Sequence, residues 1–193
     1  MKTRYNKTIV LDIDGVIANF EEEFCERFGC ENRHLYNLEQ RYPDQADLIN
    51  EFVNAESTYE HLVPIFGGTL LTRQAYYSDW YVLLMTSRPR HLAQITKEWL
   101  EGFHIPYHEM WFANQKAAAI EDYNKMYPRR QAIRFVDDSP KAAVEVSRVY
   151  GMITYVYDQP WNQDVFPRVR YNENDMRLEC RGAATPWFDL WRG

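Results

Sequence analysis

Short apolar runs alternate with stretches of helical spacing along most of the chain. Each run is almost wholly apolar, which is typical of a strand covered on both faces of a sheet. Strands are predicted over residues 9–13, 80–85, 110–113, 132–136 and 153–157. Helices are predicted between them, over residues 18–27, 70–78, 91–100, 116–124 and 140–148. This alternation predicts an α/β fold with a parallel sheet and helices on both faces.

Two segments depart from the alternation. Residues 29–61 are polar and aromatic and are interrupted by Pro43, which indicates a small helical insertion. The stretch Phe66-Gly67-Gly68-Thr69 predicts a turn, with Thr69 as the cap of the helix that follows it. We therefore expect one domain with a small insertion near its start.

Composition and charge narrow the classes of protein. The chain has 193 residues, of which 46% are hydrophobic and 16% aromatic, so a packed core is expected and disorder is not. The formal net charge is −6, whereas a protein that coats nucleic acid needs a concentrated basic surface. We expect no stable binding of nucleic acid, but a small anionic ligand in one local site is compatible with this charge.

The cysteines and the start of the chain indicate a cytoplasmic protein. Cys25, Cys30 and Cys180 form a sparse, odd-numbered set without a repeating pattern, which favours reduced thiols. No apolar run approaches the roughly 18 residues of a membrane span, and the polar start is unlike a signal peptide. We expect no association with a membrane.

Polar side chains follow four of the predicted strands. These side chains belong to Asp12, Asp14, Thr86, Ser87, Arg88, Lys116, Asp137 and Asp138. In a parallel sheet of this kind, sites form beyond the carboxyl ends of the strands. Each group also has a separate explanation, since Asp-Asp-Ser-Pro is a good turn and helix cap and a lone lysine is usually solvated. One shared cause at four strand ends is the simpler interpretation. A calcium loop is excluded, because Val16 and Ile17 occupy the positions where such a loop needs an oxygen ligand and a glycine.

Phosphoryl transfer is the chemistry that uses all of these groups. Residues two apart in a strand point the same way, so Asp12 and Asp14 can address one pocket. A carboxylate that attacks phosphorus gives an aspartyl-phosphate, but repulsion from a phosphate dianion costs about 8 kcal/mol at roughly 4 Å and an effective dielectric near 20. Magnesium held by Asp12, by Asp137 or Asp138 and by the backbone carbonyl of Asp14 would offset much of this cost.

The remaining groups then also have roles. Lys116 adds a positive charge, and Thr86 and Ser87 can hold phosphate oxygens through their hydroxyl and N–H groups. Asp14 is free to protonate the leaving alcohol and later to activate water.

These residues resemble the motifs of the haloacid dehalogenase-like phosphatase superfamily. The matching parts are LDIDGV at 11–16, LLMTS at 83–87, Lys116 and FVDDSP at 135–140, in the order that the superfamily has them. The resemblance implies a Rossmann-like three-layer α/β/α sandwich, with a core of residues 1–18 and 65–193 and a small helical cap of residues 19–64. It also implies that Asp12 is the nucleophile, Asp14 the acid and base, Thr86 and Lys116 phosphate-binding residues, and Asp137 and Asp138 the rest of the magnesium site.

A finer resemblance is to the deoxyribonucleotidases of this superfamily. It depends on IDGVIANFEEEFCERF at 13–28, STYEHLVPIFGG at 57–68 and YDQPWN at 157–162. The implied substrates are (deoxy)nucleoside monophosphates, whose base would lie among aromatic side chains between core and cap. Phe20, Phe24 and Arg88 are the predicted substrate-binding residues, and Tyr59 or Trp161 could contribute. Phe20 and Phe24 could equally seal the cap against the core.

Other functions stay open from the sequence. The substrate could be another phosphate ester or the 3′ end of a polynucleotide, although the latter needs a basic track for the strand. A non-catalytic protein that binds a phosphate ligand is a further alternative, which the intact pair of Asp12 and Asp14 disfavours. A homodimer is compatible with the chain. Trp187, Phe188 and Trp191 are expected to dock the tail on the core, or to form a surface for a partner.

Overall fold

The computed structural model describes residues 5–165 and 167–182. The aromatic residues Trp187, Phe188 and Trp191 lie outside the described residues. The strands are β1 (Lys7–Leu11), β2 (Tyr81–Thr86), β3 (Glu109–Phe112), β4 (Gln131–Asp137), β5 (Ile153–Tyr157), β6 (Arg168–Asn172) and β7 (Arg177–Arg181). The helices are α1 (Phe20–Phe28), α2 (Leu38–Arg41), α3 (Ala46–Asn54), α4 (Ser57–Glu60), α5 (Phe66–Tyr77), α6 (Ala93–Gly102), α7 (Lys116–Met126) and α8 (Pro140–Val146). Short 3-10 helices precede α3 (Pro43–Gln45) and α6 (Arg90–Leu92).

The seven strands form one sheet in the order β3-β2-β1-β4-β5-β6-β7. All neighbouring pairs are parallel except β6 and β7, which are antiparallel. The predicted α/β fold with a mainly parallel sheet is therefore confirmed. Because β1 lies between β2 and β4, the loops that follow these three strands meet at one edge of the sheet.

Side chains alternate between two cores, one on each face of the sheet. Ile9 and Leu11 of β1 point into a core that also contains Leu71 of α5 and Trp99 of α6. Val10 points to the other face, where the core is completed from α7 and α8 by Ile120, Tyr123 and Val146. The strands are almost wholly apolar because both of their faces are covered.

Residues 19–64 leave the sheet after β1 and return before α5. Their two ends are joined by backbone hydrogen bonds, from Asn19 N to Val63 O at 2.9 Å and from Ile65 N to Ile17 O at 2.7 Å. Phe24, Ile49 and Phe52 are buried together in a small core of their own within this segment. We call residues 19–64 the cap segment. Its status as a separate domain, with boundaries at 18 and 65, stays a proposal.

The predicted turn at Phe66–Thr69 is wrong, because these residues form the first turn of α5. Ile65 is the extended residue before the helix, and the Thr69 hydroxyl donates to Ile65 O at 3.0 Å instead of capping a later helix. The glycines are needed for close packing. A Cβ on Gly68 would overlap the carbonyl oxygen of Val16 in the loop after β1, so only glycine lets the helix approach so closely.

The hairpin of β6 and β7 was not predicted. Polar and apolar residues alternate in RVRYN and RLECR without a continuous apolar run, and these strands lie at the edge of the sheet. Within the described residues, no helix is long and apolar enough to cross a membrane.

Candidate active site

An open pocket of about 710 Å³ lies between the carboxyl edge of the sheet and the cap segment. Its core wall contains Asp12, Asp14, Ser87, Arg88, Asp138 and Trp161, and its cap wall contains Phe20, Glu21, Tyr36, Arg41 and Tyr59. The pocket volume falls within the range of roughly 300–1,000 Å³ that is typical of small-molecule sites. Thr86, Lys116 and Asp137 are buried next to this wall and contact its residues.

Three buried carboxylates form the centre of the site. Asp12, Asp137 and Asp138 each offer an oxygen atom within 4.8 Å of the others. Backbone donors orient two of them, since Ile13 N donates to Asp12 Oδ1 and Ser139 N donates to Asp137 Oδ1, both at 2.8 Å. Hydrogen bonds to the ionised form favour a carboxylate, but they do not neutralise its charge.

Lys116 is the cation that balances part of this charge. Its Nζ lies 2.8 Å from Asp12 Oδ2 and 2.6 Å from Asp137 Oδ2. Burial would lower the pKa of Lys116, but the carboxylates of Asp12 and Asp137 raise that pKa above its ordinary value, so the group is an ammonium. Two of its three N–H donors are used in these contacts, which leaves one for a ligand.

The carboxylates still lack positive charge. Burial raises the pKa of Asp12 to about 7, against the lowering effect of Lys116, and the charges of Asp137 and Asp14 add to the rise. Burial also raises the pKa of Asp138 well above its ordinary value, followed by the charges of Asp137 and Asp12. The three carboxylates lie beside one lysine, and the ligand atoms that they offer are all oxygens. Such a group fits a hard divalent cation such as Mg²⁺.

The segment Tyr157–Asn162 fixes the backbone of both acidic loops. Gln159 Nε2 donates to Gly15 O at 2.7 Å, while Trp161 Nε1 and Asn162 Nδ2 donate to Asp138 O at 3.1 and 2.9 Å. Gly15 has a φ of 72°, and a Cβ there would overlap the Asp138 carboxyl. Side chains of the loop after β5 thus hydrogen-bond to the backbone of both acidic loops and hold them together.

Asp14 is paired with Arg88 and is not one of the three clustered carboxylates. Arg88 Nε donates to Asp14 Oδ2 at 2.8 Å and Nη2 donates to Asp14 Oδ1 at 2.7 Å. Nη1 donates to the Thr96 hydroxyl at 3.0 Å, and the guanidinium lies 4.3 Å from the ring centre of Tyr59. Arg88 lines the pocket as a substrate-binding residue would, but each of its guanidinium nitrogens already donates to a protein oxygen. The structure thus places it as a partner of Asp14.

The other predicted site residues differ in their surroundings. Ser87 is exposed and lines the pocket, whereas Thr86 is fully buried and its Oγ1 accepts a hydrogen bond from Arg88 N at 3.1 Å. Phe20 lines the pocket and stacks on Tyr59 with ring centres 5.9 Å apart. Phe24 is fully buried in the cap core and is not among the pocket residues, so its position matches the sealing role.

Sequence reasoning missed three residues on the cap wall. Tyr36 lines the pocket, and its ring centre lies 6.2 Å from that of Trp161. Glu21 and Arg41 form a buried ion pair at the same wall, with Arg41 Nη1 2.7 Å from Glu21 Oε1. Both ions lie in a segment whose composition looks like ordinary polar surface, so no local signal marks them.

The comparison with known sequences gives one relative at low identity. No family model matches the chain. The curated protein "Putative nucleotidase BH1399" of Halalkalibacterium halodurans is 22% identical over 201 residues, which cover 99% of this chain and 97% of that protein.

Solved structures share the fold. The haloacid dehalogenase-like family protein SP0104 from Streptococcus pneumoniae has a TM-score of 0.62 at 12% identity, over 89% of this chain and 96% of that one. The D,D-heptose 1.7-bisphosphate phosphatase from B. bronchiseptica, complexed with magnesium and phosphate, has a TM-score of 0.52 at 13% identity, over 81% and 83%. A chain of the Pnkp1/Rnl/Hen1 complex has a TM-score of 0.50 at 13% identity, and the match covers 79% of this chain but 46% of that one. The chain therefore has the fold of the haloacid dehalogenase-like hydrolases.

Proposed function

We propose that the protein is a magnesium-dependent phosphatase that hydrolyses (deoxy)nucleoside monophosphates through an aspartyl-phosphate. The proposal depends on one grouping of residues at the base of a pocket, namely Asp12, Lys116, Asp137 and Asp138. Asp14 follows two positions after Asp12 and lines the same pocket. A phosphatase in the same superfamily has been solved with magnesium and phosphate, which supports this choice of metal.

Asp12 is the proposed nucleophile. Its Oδ1 is oriented by Ile13 N and its Oδ2 by Lys116, so the carboxylate is fixed before the substrate arrives. Attack on phosphorus forms the bond from Asp12 to phosphorus and breaks the bond from phosphorus to the ester oxygen. Magnesium, held by Asp12, Asp137 and Asp138 with the Asp14 carbonyl, would supply the positive charge that lets two anions approach.

Asp14 is the proposed acid and base. It gives a proton to the leaving alcohol oxygen as the first bond breaks. It then takes a proton from the water that attacks phosphorus, and the bond from phosphorus to Asp12 breaks to release inorganic phosphate and the free carboxylate. Arg88 holds both of its oxygens and so fixes the direction in which the remaining lone pairs point. The side chain of Asp14 is 26% exposed toward the pocket, so water and a leaving group can reach it.

The phosphate would be held by the three predicted phosphate-binding residues. Lys116 has one N–H donor left after its two ion pairs, and the exposed Ser87 can turn its hydroxyl into the pocket. Thr86 Oγ1 accepts from Arg88 N and keeps its own hydrogen for donation. These donors are aimed by the ends of β2 and α7, which are rigid elements of the core.

A nucleoside is supported as the leaving group by the aromatic walls of the pocket. Phe20 stacks on Tyr59, and the ring of Tyr36 contacts that of Trp161. All four side chains line the pocket. A pocket of this size and composition suits a ring system with polar edges. The name of the relative from H. halodurans agrees with this substrate class.

We also propose that the protein works in the cytoplasm, because the three cysteines are all free thiols and none is paired within the described residues. A homodimer stays a prediction.

Phosphate release tests the proposed function. The substrates are ribo- and deoxyribonucleoside 5′- and 3′-monophosphates, an oligonucleotide with a 3′ phosphate and a simple aryl phosphate, each with Mg²⁺ or with a chelator. We expect release from nucleoside monophosphates that the chelator abolishes and that Asp12→Asn reduces at least a thousandfold, as loss of a covalent nucleophile does. Asp47→Asn, an exposed aspartate of the cap segment, is the matched control.

Three results would contradict the proposal. Release from the aryl phosphate but from no nucleotide would keep the chemistry and reject the substrate class. Faster release from the oligonucleotide would favour a polynucleotide 3′ end. Nucleotide binding without any turnover would favour a binding protein.

A further inference from the structure

Arg41, the last residue of α2, is a buried cation on the cap wall of the pocket. The residue is 4% exposed. Its Nε donates to Leu35 O at 2.7 Å, and its Nη1 donates to Glu21 Oε1 and Oε2 at 2.7 and 2.9 Å. Its Nη2 has no hydrogen-bond partner among the described residues. Since Arg41 lines the pocket, this amino group is a charged donor that is available to a ligand.

The guanidinium is held in one place by its surroundings. Its central carbon lies 5.4 Å from the ring centre of Trp161 and 5.8 Å from that of Phe24. Trp161 is fixed in turn, because its indole donates to Asp138 O at 3.1 Å. Arg41 is thus one side chain away from the acidic loop, and it is oriented before a ligand binds.

The Glu21–Arg41 pair also has a purely structural interpretation. The bond from Nε to Leu35 O ties the loop before α2 to the rest of the cap segment. A buried ion pair is a poor way to gain stability, however, because desolvating two charges costs about as much as their attraction returns. Arg33 supplies Glu21 with a second partner at 3.1 Å, so Arg41 is not needed to neutralise that carboxylate. These facts favour a role for Arg41 in the pocket.

The charges around the pocket indicate what Nη2 would bind. Each buried cation there has a carboxylate partner, namely Asp14 for Arg88, Glu21 for Arg41, and both Asp12 and Asp137 for Lys116. Glu39 adds a negative charge to the cap wall. A second anionic group on the substrate would be repelled by these carboxylates, and no unpaired buried cation would attract it. A neutral hydrogen-bond acceptor has no charge to be repelled and can accept from Arg41 Nη2.

We propose that Arg41 is a specificity residue whose Nη2 donates to a carbonyl oxygen of the nucleobase. This inference rests on the proposed function and deepens it. A carbonyl oxygen is the strongest neutral acceptor on a base, and a hydrogen bond from a charged donor to a buried acceptor is worth a factor of about 10 to 100 in affinity. The substrate class is a monophosphate of a nucleoside whose base carries such an oxygen.

Two substrates that differ in one ring substituent test the proposal. Deoxyinosine 5′-monophosphate has a carbonyl oxygen at C6 where deoxyadenosine 5′-monophosphate has an amino group, and N1 changes with it from an N–H donor to an acceptor. A donor directed at the C6 substituent therefore meets an acceptor only in the first. We expect the wild type to prefer the first by about 10- to 100-fold in kcat/KM, and Arg41→Met to reduce this ratio to near one. Turnover of a simple aryl phosphate, which has no acceptor at that position, should change less than threefold.

The control variant is Arg33→Met. Arg33 bonds to the same Glu21 but its side chain is 44% exposed and does not line the pocket, so its loss should leave the ratio unchanged. Arg41→Lys keeps a positive charge beside Glu21 without the guanidinium fork, and it should lower the ratio while preserving the melting temperature better than methionine does. If Arg41→Met is unstable, the double variant Glu21→Gln/Arg41→Met removes both charges together and carries the same expectation.

The outcomes separate this inference from the proposed function. If the wild type turns over both nucleotides and Arg41→Met and Arg41→Lys keep the wild-type ratio, Arg41 is a structural residue and the inference fails alone. If Arg41→Met lowers kcat/KM by the same factor for both nucleotides and for the aryl phosphate, Arg41 is again a structural residue and the inference fails. If the wild type turns over the aryl phosphate only, the proposed function has failed and the inference with it.

Discussion

The pairing of Asp14 with Arg88 shows how much of this site depends on single residues. The proposed acid and base role of Asp14 needs a carboxylate with a fixed direction, and the fork of Arg88 in the loop after β2 provides it. Arg88 is itself held by Thr96 and by the face of Tyr59. The sequence predicts that Arg88 binds substrate, and this stays a prediction beside its observed pairing with Asp14.

Arg88→Lys should lower kcat by about 10- to 100-fold and change KM little, because lysine cannot hold both oxygens of Asp14. Steady-state kinetics on the preferred nucleotide measure this. Arg90→Lys, an exposed arginine two residues further on, is the matched control and should be neutral. A rise in KM with an unchanged kcat would instead support direct substrate binding by Arg88.

Lys116→Met should destabilise the metal-free protein by about 3–5 kcal/mol, because it leaves Asp12 and Asp137 buried without their cation. Urea unfolding in the presence of a chelator measures the free energy of unfolding. Lys125→Met, in the same helix α7, is the control because its ion pair with Asp122 is exposed. Equal stability of the two variants would mean that Lys116 does not stabilise the carboxylates.

At the scale of elements, the start of α5 packs against the loop that carries Asp12, the proposed nucleophile. Gly68 contacts the carbonyl of Val16, just beyond Asp12 and Asp14, and the Thr72 hydroxyl donates to Gly68 O at 2.8 Å. The helix and the loop therefore share one tightly packed interface. The glycines of this stretch suit a turn by composition, and only their neighbours in space explain why they lie in a helix.

Gly68→Ala should destabilise the fold by about 1–3 kcal/mol, as overpacking of a buried contact does. The same variant should lower kcat, because the Asp12 loop has to move to make room for the methyl group. Gly102→Ala is the matched control, since a Cβ at that position in α6 meets no atom within 4 Å. Urea unfolding of the two variants side by side checks the prediction, and equal stabilities would contradict it.

At the scale of the whole molecule, the carboxylate cluster belongs to the core, and most of the aromatic side chains of the pocket belong to the cap segment. The two parts are joined at the pocket by the contacts of Tyr36 and Arg41 with Trp161. The buried carboxylates Asp12, Asp137 and Asp138 lie together in the core. We therefore expect pH and Mg²⁺ to change the free energy of unfolding through this cluster.

Magnesium should stabilise the protein more at about pH 8 than at about pH 5. The pKa of Asp12 is raised from 3.8 to about 7 in the folded chain, so between these values the folded state binds more protons than the unfolded state. The free energy of unfolding of the metal-free protein therefore falls as pH rises through this window. Because Mg²⁺ binds the ionised carboxylates, its stabilising effect grows in the same window.

Melting temperatures with Mg²⁺ and with a chelator, recorded at both pH values, test this prediction. Asp12→Asn should shrink the difference between the two pH values, since it removes the titrating group. A magnesium shift of equal size at both pH values would show that the carboxylates are already ionised in the metal-free protein.

The sequence by itself determined five of the seven strands, their order of appearance and the polar residues at their ends. These features are encoded locally, because an apolar run and the carboxylate that follows it are neighbours in the chain. Thus β5 matched its predicted range, and Asp12, Asp137 and Asp138, which follow two predicted strands, lie close together in the structure. The strands β6 and β7 alternate polar and apolar residues and contain no continuous apolar run. The hairpin was missed because continuous apolar runs were the signal used to predict strands.

Only the tertiary structure decided which groups meet. Arg88 and Asp14 are 74 residues apart, Arg41 and Glu21 are 20 apart, and Trp161 and Asp138 are 23 apart. No period or motif links such pairs, because their contact depends on how the cap segment closes over the sheet. The sequence thus determined which polar residues stand at the strand ends, while the tertiary structure decided that Arg88 pairs with Asp14 and that Arg41 pairs with Glu21.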